Sequence, residues 1–135
     1  MNDLQAAAAR ASLKGAYSDT MDFPMIVGML AEVGFEGYAI DYRRNMAIYY
    51  LPSGQSIELP LPADDQSVSS GFDAKAVRDA ISQAQSGAAD YTYKGFCRNV
   101  MAAGCAGYIV SFPGRRVVYY GRSGETHIEP FPTAD

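Results

Sequence analysis

Residues 34–54 read GFEGYAIDYRRNMAIYYLPSG, and residues 104–124 read GCAGYIVSFPGRRVVYYGRSG. Seven positions are identical between the two stretches at an offset of 70 residues: Gly34, Gly37, Tyr38, Tyr49, Tyr50, Ser53 and Gly54 match Gly104, Gly107, Tyr108, Tyr119, Tyr120, Ser123 and Gly124. Self-similarity at a fixed offset is typical of one supersecondary unit that occurs twice. These stretches therefore predict an internal duplication.

Each stretch predicts three antiparallel strands. Aromatic or branched residues alternate with other residues from Tyr38 to Tyr42 and from Tyr108 to Phe112, and this period of two is typical of a half-buried strand. Short turns then lead into a second strand that contains the tyrosine pair, and turns at Ser-Gly lead into a third, shorter strand. Because short polar turns favour hairpins, each half is predicted to form a three-stranded meander.

Two helices are predicted before each meander. Good N-cap residues precede three of the four helices: Asp3, Asp22 and Asp73. Glycines follow all four, and only glycine adopts a left-handed C-cap without strain: Gly15, Gly34, Gly87 and Gly104. The unit is therefore helix, helix and meander.

We expect an α+β fold in which this unit occurs twice, at about 3–59 and 73–129. Residues 60–71 contain two prolines, two aspartates and several serines, which is typical of a linker. A lone three-stranded sheet is only marginally stable, so the two units are expected to bury their apolar faces together, with pseudo-twofold symmetry, as one domain over 1–135. The sequence leaves open whether the two meanders join in one six-stranded sheet.

Composition excludes several classes of protein. The chain has 48% apolar residues, 19% charged residues and a formal net charge of −4, so we expect a globular protein that does not bind nucleic acid. The two cysteines, Cys97 and Cys105, match no zinc signature and lie among apolar residues, which favours buried free thiols. We therefore expect no metal and no cofactor.

No targeting segment is visible in the sequence. Residues 1–10 lack a basic segment followed by a long apolar run, and no apolar stretch approaches the ~20 residues that span a bilayer. We therefore expect a cytoplasmic protein with no membrane partner.

Further residues point to a known family: Phe23-Pro24, Leu30, Gly34, Tyr38, Tyr49-Tyr50 and Gly54 in the first half, and Tyr93, Phe96-Cys97, Gly104, Tyr108, Tyr119-Tyr120, Gly124, Glu129 and Pro132 in the second. Over roughly 23–132 the chain resembles a bacterial and prophage-borne family usually labelled "phage envelope protein" or domain of unknown function. The resemblance implies a small intracellular protein of unassigned function. Nothing in the residues themselves supports the envelope label, since no assembly segment is visible.

The tyrosine pairs are the most suggestive candidates for a site. Adjacent residues on a strand point to opposite faces, so one ring of each pair faces the helices. Tyr49 and Tyr119 then stand at equivalent places about the expected axis, where two phenols could line a cleft and bind a ligand. Aromatic residues in the middle of a strand are equally explained by sheet packing alone.

The only histidine, His127, lies two residues from Glu129 on a predicted strand, so both side chains share one face. A carboxylate can orient a histidine that acts as a general base, although a surface pair on an edge strand is the simpler interpretation. Cys97 is interpreted as a buried thiol, with a reactive thiol as the alternative. Arg43-Arg44 and Arg115-Arg116 lie near matching hairpins, where together they could bind phosphate or an acidic partner.

Two hypotheses about function follow. The first is a non-enzymatic interaction module that contacts a protein partner, or a second copy as a homodimer, through the outer sheet face or an edge strand. The second is a small-molecule-binding protein or enzyme that uses a cleft between the halves, with Tyr49, Tyr119, His127 and Glu129 as its polar groups. Convergence of these four side chains on one pocket would favour the second hypothesis.

Overall fold

The computed structural model describes residues 1–132 and has an α+β architecture. Four helices and six strands follow one another in the order α1 (Asp3–Tyr17), α2 (Phe23–Glu32), β1 (Gly37–Asp41), β2 (Met46–Tyr50), β3 (Ser56–Pro60), α3 (Ala74–Gln85), α4 (Tyr93–Ala102), β4 (Cys105–Ser111), β5 (Arg116–Gly121) and β6 (Thr126–Pro130). Both the first and the second half therefore contain two helices followed by three strands.

The predicted helix ends are mostly confirmed. Asp22 and Asp73 cap α2 and α3 by accepting hydrogen bonds from backbone amides in the first turn. After α2 and α4, Gly34 and Gly104 adopt φ angles of +105° and +92°, the left-handed region that glycine tolerates. Glycine at these two positions is thus required by the backbone.

The prediction for α1 was wrong at both ends. Asn2, and not Asp3, is the N-cap, because Asn2 and Gln5 form a reciprocal capping box. The helix also continues through Gly15 to Tyr17. Gly15 is buried within the helix against Met21, since a Cβ atom there would lie 2.5 Å from the Met21 side chain. This glycine makes room for a neighbour and does not end the helix.

The six strands form one antiparallel sheet in the order β3-β2-β1-β4-β5-β6. The two meanders join through β1 and β4, whose register places Ala39 opposite Ile109. The question that the sequence left open is therefore answered: the sheet is continuous. Antiparallel pairing of β1 and β4 also means that the β1–β2 turn and the β4–β5 turn lie at opposite ends of these strands.

The helices cover one face of the sheet, which we call the inner face. Tyr38, Tyr49, Tyr108 and Tyr119 lie on it and are each less than 10% exposed. The opposite, outer face exposes Tyr50, Ile109 and Ile128, which are 40%, 48% and 50% exposed. The two residues of the Tyr49-Tyr50 pair therefore point to opposite faces, as the alternation of a strand requires.

The segment between the halves is held to the rest of the fold. Leu61 donates a backbone hydrogen bond to Asn45, and Ser69 donates one to Met101 at the end of α4. Asp64 and Asp65 form ion pairs with Arg98 of α4. This segment has linker composition but contacts both halves.

Candidate functional site

A cavity of about 570 Å³ lies between the inner face of the sheet and the helices. All four helices contribute to it, and so do five of the six strands and the residues that follow β6. Its walls include six tyrosines, Tyr38, Tyr49, Tyr91, Tyr93, Tyr108 and Tyr119. Small-molecule sites are ordinarily cavities of about 300–1,000 Å³ with mainly apolar and aromatic walls, so this one has the size and the lining of a ligand site.

Four tyrosine rings make the floor of the cavity. Tyr38 is paired with Tyr49 across β1 and β2, and Tyr108 is paired with Tyr119 across β4 and β5. The ring centroids within these pairs are 5.5 Å and 5.3 Å apart, and Tyr38 and Tyr108 are 6.4 Å apart edge to face. One continuous aromatic surface thus crosses the junction between the two halves.

The phenols of this floor are neutral at ordinary pH. Burial raises the pKa values of Tyr38, Tyr93 and Tyr108 well above the usual value of 10. The Tyr93 and Tyr108 hydroxyls hydrogen-bond to each other at 2.5 Å. Tyr119, which is 7% exposed, makes no side-chain hydrogen bond with any residue of 1–132. Its hydroxyl is available to a molecule in the cavity.

The remaining walls are largely apolar. Phe23 at the start of α2 and Phe131 after β6 meet edge to face, with their ring centroids 5.4 Å apart. Ile26 of α2, Ile81 of α3 and Phe96 of α4 complete the side that faces the sheet. These side chains give the cavity apolar walls around the phenol floor, where a hydrogen bond is stronger than in water.

His127 and Glu129 lie on the inner face of the edge strand β6. The register places His127 opposite Tyr119 and Glu129 opposite Val117. His127 Nε2 is 3.1 Å from Glu129 Oε1, and the imidazole stacks on the Tyr119 ring with centroids 6.3 Å apart.

The structure brings three of the four predicted site residues to one cavity. Tyr49, Tyr119 and Glu129 line it, whereas His127 contacts it only through Tyr119 and Glu129. His127 and Glu129 form a pair on the edge strand, as the simpler interpretation predicted, and their side chains are 17% and 30% exposed. A binding role for the four residues stays a prediction.

Comparison with protein families matches residues 12–129 to a family described as "Protein of unknown function (DUF1398)". The chain belongs to this family. Comparison with curated proteins gives no match. The family description assigns no function to this DUF1398 chain and does not refer to an envelope, so the likeness to envelope-labelled proteins stays a resemblance.

Sequence reasoning missed several lining residues of this DUF1398 chain. Phe23 and Tyr93 are aromatic residues 70 positions apart, each at the start of the second helix of its half, and both line the cavity. The repeat was thus the signal that could have identified them. Tyr91 and Phe131 have no such signal, since they lie outside the helices and strands.

Both cysteines are buried free thiols, as predicted. Burial raises the pKa of Cys105 to about 11 and also raises the pKa of Cys97. The Cys97 sulfur lies 3.9 Å from the Tyr17 hydroxyl. Neither thiol has the lowered pKa that a nucleophilic cysteine requires, so the structure favours the structural interpretation.

The arginine pairs near the hairpins do not converge. Because the two turns lie at opposite ends of β1 and β4, about 13 Å or more separates them at ~3.3 Å per residue. Arg44 is paired with Glu58 at 3.4 Å, and the Arg115 guanidinium lies 5.6 Å from the centre of the Phe131 ring. The prediction that the two arginine pairs together form a phosphate-binding site was therefore wrong.

Two further findings concern residues 1–132. No group of three His, Cys, Asp or Glu side chains in this range is arranged to hold a metal ion. None of the helices described combines the length and the apolar character that crossing a bilayer requires.

Proposed function

We propose that this protein binds a small, largely apolar molecule in the cavity between its helices and its sheet. One observation carries the proposal: a space of about 570 Å³, floored by tyrosine rings from both halves, lies in the centre of the fold. The cavity opens to solvent, since Asp22, Pro24 and Gln85 of its lining are exposed, so a molecule can enter it. A cavity of this size with neutral phenols in its walls is suited to ligand recognition.

Binding is favoured over catalysis by the chemistry of the walls. The hydroxyls offer hydrogen bonds but are held neutral by burial, and the thiols are buried with raised pKa values. Glu129 with His127 is an acid–base pair at the cavity, and the hydroxyl of Ser12, which also lines the cavity, donates to the Ala9 carbonyl within its own helix. The hypothesis of a protein-contact surface has the exposed outer-face residues as its support, and it stays a prediction.

We also infer that residues 3–59 and 73–129 are two copies of one unit related by a pseudo-twofold axis. The same order of helices and strands in both halves supports this inference. The pairing of β1 with β4 supports it further, because Ala39 faces Ile109, the residue 70 positions later. Tyr38 and Tyr108 would flank the axis, which would place the cavity between the two copies.

The proposal is tested with N-phenyl-1-naphthylamine, a neutral dye whose fluorescence rises in apolar surroundings. We expect saturable binding by the purified protein. Ala84 lines the cavity from α3, so Ala84→Trp fills part of the space and is expected to weaken dye binding at least about tenfold. Ser82→Trp on the same helix is the matched control, since Ser82 is exposed and lies outside the cavity.

The outcomes separate a real site from a nonspecific apolar surface. Saturable binding that Ala84→Trp weakens and Ser82→Trp preserves supports the proposal. Equal binding by both variants would place the dye elsewhere, and the absence of binding by the parent protein would overturn the proposal. Circular dichroism of each variant checks that it is folded.

A further inference from the structure

We propose that the ligand of this cavity is a cation, an amine or quaternary ammonium group attached to an apolar or aromatic body. The inference rests on the proposed function and adds the chemical class of the ligand. Three observations support it: the charges of the lining, the aromatic floor, and the Tyr119 hydroxyl, which lies at the cavity and bonds to no described residue.

The charged residues that line the cavity are all acidic. Asp19, Asp22 and Glu129 belong to the lining, and no lysine or arginine does among residues 1–132. Arg115 is close by, but it stacks on Phe131 and is not a lining residue. An anion entering the cavity would meet three carboxylates and no cation of the lining, whereas a cation would be attracted.

Glu129 is the carboxylate best placed to contact the ligand. Asp22 accepts the capping hydrogen bond of α2 from Met25, and Asp19 accepts the backbone amide of Tyr93. Both carboxylates therefore have a structural role, and they act on a ligand mainly through the negative electrostatic potential of the cavity. Glu129 Oε1 is hydrogen-bonded to His127 Nε2, and Oε2 has no partner within residues 1–132.

Tyr119 provides an independent indication next to Glu129. This residue is 7% exposed and lines the cavity, and its hydroxyl has no hydrogen-bond partner among the described residues. The Tyr119 hydroxyl is not a fully buried atom, since within residues 1–132 the buried side-chain oxygen that lacks a partner is Tyr42 Oη, so the Tyr119 hydroxyl is accessible to a polar group at this end of the cavity. A protonated amine can donate one N–H to this oxygen and another to Glu129 Oε2, whereas a quaternary ammonium group has no N–H and would interact with Glu129 and the rings through its charge alone.

The aromatic floor of the cavity also favours a cationic ligand. The face of a phenol ring carries negative potential, which attracts a cation within about 6 Å of the ring centre. Tyr38, Tyr49, Tyr108 and Tyr119 present adjoining rings to the cavity. Rings together with a carboxylate form a site for an ammonium group, while the apolar walls accommodate the rest of the molecule.

The two halves differ at the edge-strand position that carries the Glu129 carboxylate in the second half. Leu59 on β3 stands opposite Ala47, as Glu129 on β6 stands opposite Val117. Ile57 likewise stands opposite Tyr49, where His127 stands opposite Tyr119. The polar end of the cavity is therefore on the β6 side, and the ligand is expected to lie with its charged group there and its apolar body toward β3.

The test uses three probes of similar shape that displace N-phenyl-1-naphthylamine. Benzyltrimethylammonium and neopentylbenzene differ only in replacing the positive nitrogen by carbon, and benzylsulfonate carries a negative charge. We expect the cation to displace the dye at a concentration about tenfold or more below that of its neutral isostere. The anion is expected to be the weakest of the three.

Glu129→Gln and Glu58→Gln are the paired variants. Both remove one carboxylate from an edge strand, but Glu58 lies on the outer face in an ion pair with Arg44. The ratio of cation to neutral affinity is expected to fall toward one in Glu129→Gln and to persist in Glu58→Gln. Comparing the ratio within each variant removes any general effect of the substitution on the cavity.

Failure of this inference differs from failure of the proposed function. If the dye binds but the neutral or anionic probe binds as tightly as the cation, the charge inference is overturned and the cavity remains a ligand site. An unchanged ratio in Glu129→Gln would also overturn it. If neither the dye nor any probe binds, both proposals fail.

Discussion

Gly34 and Gly104 follow the second helix of each half, 70 residues apart, and their replacement by alanine measures how closely the chain packs there. Both glycines have a left-handed φ, so Gly34→Ala and Gly104→Ala introduce the same kind of backbone strain. The surroundings differ, however, and the difference between the variants isolates the effect of the neighbouring chain.

Gly34→Ala is expected to introduce strain alone. A Cβ atom at Gly34 would meet only Gln5 Nε2, at 3.4 Å, which is an ordinary contact. A left-handed conformation costs a residue with a side chain about 1–2 kcal/mol. We therefore expect the free energy of unfolding to fall by about that amount.

Gly104→Ala adds a collision to the strain. Its Cβ atom would overlap the carbonyl oxygen of Gly71 and lie 2.8 Å from Phe72 Cα, and both are backbone atoms that cannot rotate away. The segment is further held by a 2.7 Å hydrogen bond from Asp73 N to the Ala103 carbonyl. Forcing extra volume into a packed site costs about 1–3 kcal/mol, so the total is about 2–5 kcal/mol.

Urea unfolding followed by circular dichroism measures both variants. With a denaturant slope of about 1–3 kcal/mol/M, the unfolding midpoint of Gly104→Ala should lie about 1 M below that of Gly34→Ala. Equal midpoints would refute the reasoning, since the collision with residues 71–72 would then be absent. An increase in stability for either variant would refute the assignment of left-handed strain.

Two further predictions concern the buried phenols and thiols. Burial raises the pKa values of Tyr38 and Tyr108 above 10 and that of Cys105 to about 11, so unfolding releases protons at high pH. The free energy of unfolding should therefore be constant below about pH 8.5 and fall as the pH rises through 9–11. A urea midpoint that is constant from pH 7 to 11 would contradict this. At pH 8 about one Cys105 thiol in a thousand is ionised, and the pKa of Cys97 is also raised. Ellman's reagent should therefore label neither thiol in the native protein and both thiols in urea. Rapid labelling of the native protein would show that a thiol is accessible.

Local patterns predicted the elements of the fold. The alternation around Tyr38 and Tyr108, the caps Asp22 and Asp73 and the glycines after the helices depend only on residues close in the sequence. The misplaced end of α1 shows the limit of such signals. Gly15 resembles a helix stop, but its role depends on Met21, which packs against it only after the chain turns back.

The site could be predicted only in part. Tyr49 and Tyr119 were identified from strand alternation and the repeat, and Glu129 from its position two residues after His127 on one strand face. Tyr91 and Phe131 lie in irregular segments that carry no periodic signal. The predicted arginine site was wrong for a related reason: the turns that carry Arg43 and Arg115 each follow the first strand of a meander, but antiparallel pairing of β1 and β4 separates them.

The sequence by itself determined the helices, the meanders, the tyrosine face and the order in which they follow one another, because these features arise from interactions between near neighbours. Only the tertiary structure decided that β1 pairs with β4 in one continuous sheet, since backbone hydrogen bonds between distant strands depend little on side-chain identity. It also decided that the helices leave a cavity of about 570 Å³ above the tyrosines. A cavity depends on how all the covering side chains pack together, and no single segment of the sequence specifies it.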